Sequence, residues 1–255
     1  MIRSIPYLIA LVLVSHEALA LELKGRLEWV HKTELRVVEN GVVETVKVTM
    51  GQHVKKGELL LRMDQREQKA NLLEAKARLG RTQIALEGSK RELARTQEMF
   101  DRALIAVEEL KDAQFKHVVA EAEVESAKAA LAVAEVALER TELRAPFDGI
   151  VVAPTVWQGD VIYKTLQDEP LIAIVPDEEM LVRVLVHADV LRRYHPGQKV
   201  QVKVLGELRE AKIHSLGVEA VRIDPSGAVY ELDVIFKLRD KELLRPSETA
   251  MVIFP

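Results

Sequence analysis

The strongest constraint on this 255-residue chain is where proline is missing. None stands between Pro6 and Pro146, whereas eight fall in the last 110 residues. Proline inside a helix costs about 3 kcal/mol, so the gap marks where long helices can run. Within it Leu72, Leu79, Leu86, Leu93 and Phe100 recur every seven residues. The first four are each followed three places on by a small residue: Ala75, Thr82, Ser89 or Thr96. A second series, Leu110, His117, Val124, Leu131 and Leu138, carries Ala113, Ala120, Ala127 and Ala134 in the same relation. Seven-residue repeats of this kind belong to helices that pack on one another, with large and small positions interlocking. Asp64-Gln65-Arg66-Glu67 reads as the cap and first turn of the first helix. Gly80 and Gly88 weaken that helix by about 1 kcal/mol each.

Charge predicts that the two helices meet each other. Residues 65–102 hold nine basic and six acidic side chains, and residues 107–141 hold four basic and eight acidic, so the pair is +3 against −4. The short linker permits only an antiparallel hairpin, with arms of about 50 Å at ~1.5 Å per residue. Large-against-small packing allows two registers. One sets Leu93 against Ala113 and His117 against Ser89; the other is shifted by one heptad and sets His117 against Thr96. A turn near residues 100–105 centres the first. In either register a hydroxyl satisfies the imidazole, which makes His117 a tolerated seam residue rather than a ligand.

The flanks of the hairpin repeat. Gly41-Val42-Val43 through Gly51-Gln52-His53-Val54 matches Gly149-Ile150-Val151 through Gly159-Asp160-Val161-Ile162 in glycine and β-branched spacing. Such segments are short strands and tight turns, and their placement at both ends of one insertion points to a single β domain split by the helices. Hydrophobic residues make up 48% of the chain, enough for a core. A net charge of −4 with 4% aromatics argues against nucleic-acid binding. With no cysteine there is no disulfide, zinc–thiolate site or thiol nucleophile. At the N-terminus Arg3, the apolar run Ile5 to Val14, and Ala18-Leu19-Ala20 read as a secretory signal peptide over residues 1–20, the alternative being an uncleaved anchor.

The most specific segments are Leu143-Arg144-Ala145-Pro146-Phe147-Asp148-Gly149 and Gly51-Gln52-His53-Val54-Lys55-Lys56-Gly57 with Asp64. Pro196-Gly197-Gln198-Lys199-Val200 and Leu244-Arg245-Pro246-Ser247-Glu248-Thr249-Ala250 follow later. Together they resemble the periplasmic adaptor, or membrane fusion, proteins of tripartite efflux pumps. The resemblance implies an elongated α+β fold: a split lipoyl-like β domain interrupted by an antiparallel coiled-coil hairpin, then a β-barrel. The expected parts are residues 21–33 as a strand joining the barrel, 34–64 and 142–177 as the lipoyl-like halves, 65–141 as the hairpin and 178–255 as the barrel.

By the same resemblance the protein sits in the periplasm, bound to the inner membrane through its transporter. It links an inner-membrane efflux transporter, of the proton-driven resistance-nodulation-division type, to an outer-membrane channel protein for export of small molecules. It assembles as a homo-oligomeric ring. Service to an ATP-driven exporter is the alternative, and an exported coiled-coil scaffold without a pump is another. The family's channel-docking motif at the hairpin tip has arginine, leucine four residues on, and serine seven further. Those positions hold Arg95, Met99 and Ala106 here. Methionine keeps the leucine's volume, but alanine in place of serine removes a helix cap at about 1 kcal/mol. The sequence ends at Pro255 where many such adaptors continue into a membrane-proximal domain, so a short form is expected.

Enzyme motifs are missing: there is no Gly-x-Ser-x-Gly, His-Glu-x-x-His or phosphate loop. His187-Ala188-Asp189 is the nearest thing to a metal or acid–base pair and lacks a third ligand nearby. A lipoate or biotin carrier needs a lysine at the turn where this chain has Arg62-Met63-Asp64. No catalytic residue, metal site or cofactor is expected.

Overall fold

The computed structural model describes residues 21–163, 165, 169–239 and 242–255. The signal-peptide assignment therefore lies outside the described residues. The chain divides into two compact units, one of residues 31–176 and one that joins the N-terminal strand to residues 177–255.

The chain enters on β1 (Leu21–Trp29), which belongs to the second unit. The first unit then runs through β2 (Thr33–Leu35), β3 (Gly41–Val46), β4 (His53–Val54) and β5 (Leu59–Met63). Two long helices follow, α1 (Arg66–Asp101) and α2 (Val107–Glu139). Four strands complete the unit: β6 (Glu142–Arg144), β7 (Gly149–Pro154), β8 (Val161–Ile162) and β9 (Ile172–Pro176). The sheets are ordered β2-β9-β7-β4 and β6-β5-β3-β8, so each half of the split domain supplies strands to both.

The sequence repeat explains how the halves clasp. β3 lies antiparallel to β8, with Gly41 opposite Ile162, and β4 lies antiparallel to β7, with Val54 opposite Gly149. The first strand of each repeat thus pairs with the last of the other. Their turns match too. Gly51 and Gly159 hold φ of +78° and +93°, a left-handed conformation that suits glycine. The Gly51 amide donates to the Val151 carbonyl (2.7 Å) and the Gly159 amide to that of Val43 (2.9 Å). Each turn is braced by a side chain, Gln52 accepting from the Thr49 amide and Asp160 from that of Trp157. Leu60, Leu61, Ile172 and Ile174 are sealed in the core between the sheets. The Arg-Ala-Pro-Phe-Asp-Gly run locks across the first half. Asp148 accepts from the Lys56 amide (2.7 Å) and from Lys55 Nζ (2.9 Å), and these cations hold its carboxyl below the usual range. A Cβ on Gly149 would stand 2.3 Å from the Val175 carbonyl oxygen, so no larger residue fits there.

The second unit is a closed barrel. After β10 (Glu179–His187) and the short α3 (Ala188–Leu191) come β11 (Lys199–Val204), β12 (Glu207–Leu216), β13 (Arg222–Asp224), β14 (Gly227–Lys237) and β15 (Thr249–Phe254). Six strands are ordered β10-β1-β15-β11-β12-β14, and β14 pairs back onto β10 to close the ring. β13 hangs on the outer edge of β14. Strict alternation directs Val200, Val202 and Val204 inward with Lys199, Gln201 and Lys203 outward. Leu27, Met180, Leu232 and Phe254 fill the interior. Beside the barrel, Glu242 anchors the connection before β15. Its carboxylate takes two bonds from Arg209 (2.6 and 2.7 Å) and one from the Arg239 amide (3.0 Å).

Candidate functional site

The family resemblance directs attention to the hairpin, and the structure shows how the chain shapes its tip. α1 ends in a Schellman motif: the Leu104 amide donates to the Met99 carbonyl (3.0 Å) and the Ala103 amide to that of Phe100 (2.8 Å). The motif needs a left-handed residue, and Ala103 supplies it at φ +55° where glycine is the usual choice. Nothing in the sequence pattern marked Ala103. α2 starts at Val107 with Ala106 in the N-cap position, extended and without a side-chain cap bond. Arg95 is exposed on the outer surface, ion-paired with Glu92 one turn back (2.7 Å). Met99 is half-buried and Ala106 exposed. Leu104, 67% exposed, and Val107 add bare apolar surface at the same end.

Below the tip, α1 and α2 pack along the two heptad series. The Ser89 hydroxyl donates to the Leu86 carbonyl (2.8 Å), and its oxygen lies 3.2 Å from His117 Nδ1. The other imidazole nitrogen lies 3.4 Å from Glu121. At the base of the hairpin, Gln65 Nε2 donates to Thr141 Oγ1 (2.8 Å). Gln65 lies 24 residues back from Ser89 and Thr141 the same distance beyond His117, so one register runs the whole length. It is the one that sets Leu93 against Ala113 and Leu86 against Ala120. Asp64 stands one residue before the N-cap position that its sequence suggests. Gln65 occupies the N-cap position, while Asp64 accepts from the Arg66 amide and grips its guanidinium. Burial is uneven between the large and the small seam positions. Ala75, Thr82, Thr96, Ala113, Ala120 and Ala127 are buried, yet Leu72, Leu79, Leu86, Leu93 and Phe100 are half-buried, as are Leu131 and Leu138. Leu110 and Val124 are covered. With two helices only the line between the axes is sealed, and the longer side chains lie over its edges.

The charge pattern is used in an unexpected way. Every salt bridge within residues 67–139 joins neighbours on one helix, such as Lys128 with Glu125 (2.8 Å), and none crosses from α1 to α2.

His187 and Asp189 are not brought together. His187 Nε2 faces Ser226 Oγ (3.4 Å) and Asp224 (3.9 Å), while Asp189 pairs with Arg193. Among the described residues no three His, Asp or Glu side chains converge as metal ligands, and no helix is long and apolar enough to cross a membrane.

A family described as a CzcB-like, barrel-sandwich hybrid domain matches residues 34–167, just over half of the chain. The macrolide export protein MacA of Yersinia pestis is 30% identical over 199 residues, covering 72% of this chain and 53% of its own. The membrane fusion protein Spr0693 of Streptococcus pneumoniae R6 shares the fold at a TM-score of 0.72 and 14% identity, covering 91% of this chain and 98% of that one. The chain belongs to the periplasmic adaptor, or membrane fusion protein, family. Adaptors of this family thus supply the frame for the β domain split by a helical hairpin and for the barrel. The multidrug resistance protein MdtA of Klebsiella pneumoniae is 36% identical over a shorter stretch, 40% of this chain and 24% of that protein. This adaptor spans about half the length of the curated relatives it matches.

Proposed function

We propose that the protein is the non-enzymatic adaptor subunit of a tripartite efflux pump in the periplasm. It links an inner-membrane transporter to an outer-membrane channel protein for export of small molecules, and works as a homo-oligomeric ring without a cofactor. The observation that carries the reading is the hairpin tip: bare apolar surface of Leu104 and Val107 at the end of two long helices rooted in the β domain, with Arg95 exposed on α1 before it. Names of relatives that speak of macrolide export and multidrug resistance support small organic molecules as cargo. Arg95, Met99 and Ala106 are the proposed channel-docking positions, and the transporter is proposed to be of the resistance-nodulation-division type.

The test is export of a fluorescent drug from cells lacking the native copy. Arg95→Asp is expected to abolish export with helicity unchanged, because an exposed charge contributes little to folding. Collapse of the proton gradient with ATP maintained is expected to stop export as well. Export that survives Arg95→Asp would remove Arg95 from the docking surface. Export that survives the protonophore would assign an ATP-driven partner instead.

A further inference from the structure

The barrel carries a groove that its own packing does not use. It runs over β11, β12, β14 and β15, encloses about 750 Å³, and has Ile235, Ile253 and Pro255 among its walls. Sites for small organic molecules have this size and this make-up, apolar walls with a few placed polar groups. Strand alternation explains how the two kinds of group meet there. Val200, Val234 and Val252 point into the barrel core, so their neighbours Lys199, Ile235 and Ile253 face outward. The register sets Lys199 opposite Lys212, Lys212 opposite Ile235, and Ile253 opposite Gln201.

The lysine pair has no reason in the fold. Like charges directly opposite on one face of a sheet are destabilising. Lys199 and Lys212 are both exposed, and neither side chain has a carboxylate partner among the described residues. Two carboxylates do line the groove, Glu179 and Glu210. They stand one row away along the strands, where Lys237 of β14 faces Glu179 of β10 across the ladder. Three lysines against two glutamates leave the groove with a net positive charge, and the surplus lies at the Lys199–Lys212 pair.

We infer that this groove binds a small amphiphile with an anionic head, a carboxylate or a phosphate monoester, one molecule at a time. The head accepts charge-assisted hydrogen bonds from Lys199 Nζ and Lys212 Nζ together, which turns their mutual repulsion into a shared attraction. The apolar body lies along Ile235 and Ile253, and its burial supplies the rest of the affinity. A cationic head would meet two like charges and is rejected. A bare anion would gain the lysines but leave the apolar walls wet. The site uses none of Arg95, Met99 or Ala106, so it is tested apart from export.

Titration calorimetry on the purified full chain tests this with dodecyl phosphate, dodecyltrimethylammonium and inorganic phosphate, each amphiphile kept below its micelle concentration. Dodecyl phosphate is expected to bind with one site per chain, at least tenfold more tightly than either of the other two. Lys199→Gln with Lys212→Gln should weaken it at least tenfold, while the urea midpoint stays level or rises because a repulsion has gone. Lys199→Arg with Lys212→Arg, which keeps the charge, should retain binding. Equal affinity for the cationic amphiphile would mean unselective detergent uptake, and inorganic phosphate binding as tightly would mean a bare anion site; either overturns the inference. So does an affinity for dodecyl phosphate that the double glutamine variant leaves unchanged. Vesicles of phosphatidylglycerol are sedimented with the same variants. Lysine-dependent binding to the vesicles with none to dodecyl phosphate would give the pair to a membrane surface and sink the groove.

Discussion

In the barrel, Leu27, Met180 and Leu232 are completely sealed from solvent, and in the sandwich so are Leu60, Leu61 and Ile172. Along α1 not one of the four seam leucines is buried; the sealed positions there are an alanine and two threonines. A sheet that closes, or faces another sheet, surrounds a large side chain on all sides. Two helices touch along a line and seal only what is small enough to fit between them. The β units are therefore self-sufficient cores. The hairpin is an arm whose stability depends on helix propensity, end geometry and whatever else covers it.

The sharpest test of that contrast stays within one unit. Leu60→Ala should cost about 3 kcal/mol, since a sealed leucine leaves a cavity behind. Leu86→Ala should cost about 1 kcal/mol, because its half-exposed side chain loses less burial and leaves no void. Urea denaturation followed by far-ultraviolet circular dichroism compares the two. Equal costs would mean that the hairpin is covered in solution as fully as the β core.

Ion pairs sharpen the same comparison at a smaller scale. Glu242 is largely buried against Arg209, whose guanidinium holds the carboxyl down to about 2 from an ordinary value of 4.5. A depressed carboxylate stabilises the fold above its unfolded pKa, and that contribution is lost as pH falls from 4.5 towards 2. Glu242→Gln should destabilise the barrel by about 2 kcal/mol at neutral pH and flatten its acid-unfolding curve over that window. On the hairpin Glu98 faces Arg102 in open solvent. Glu98→Gln should change stability by less than about 0.5 kcal/mol.

What the sequence made legible followed periodicity. The heptads place both helices, and the glycine-punctuated repeat anticipates two halves that clasp, because Gly51 and Gly159 are required by turn geometry itself. The charge difference between the helices is equally legible, but its use is not. Net charge says that two surfaces attract, without saying whether they belong to one chain. Asp64 shows a second limit: the sequence puts the cap one residue early, and the carboxylate serves the amide and the guanidinium of Arg66 together, a contact that spacing alone does not rank. Gln65 and Thr141 join across 76 residues, and no local signal links them. The proposed docking positions Arg95, Met99 and Ala106 come from resemblance, whereas the distinctive geometry at the tip comes from Ala103, an ordinary residue in an unusual conformation.

That residue gives the smallest and most local of the expected effects. Ala103 closes the Schellman motif at the end of α1 with φ at +55°, where its Cβ crowds the backbone. Glycine removes the crowding but adds freedom to the unfolded chain, so the net gain from Ala103→Gly is about 0.5–1 kcal/mol. The gain should appear as a higher urea midpoint with an unchanged slope, read from the helical signal. If the β units are self-sufficient cores, fluorescence from Trp29, in the barrel unit, read with the second tryptophan removed by Trp157→Phe, should report no change. A gain in both signals would join the arm and the barrel in one cooperative unit. A loss of stability would mean that the turn adopts a different, right-handed path that glycine destabilises.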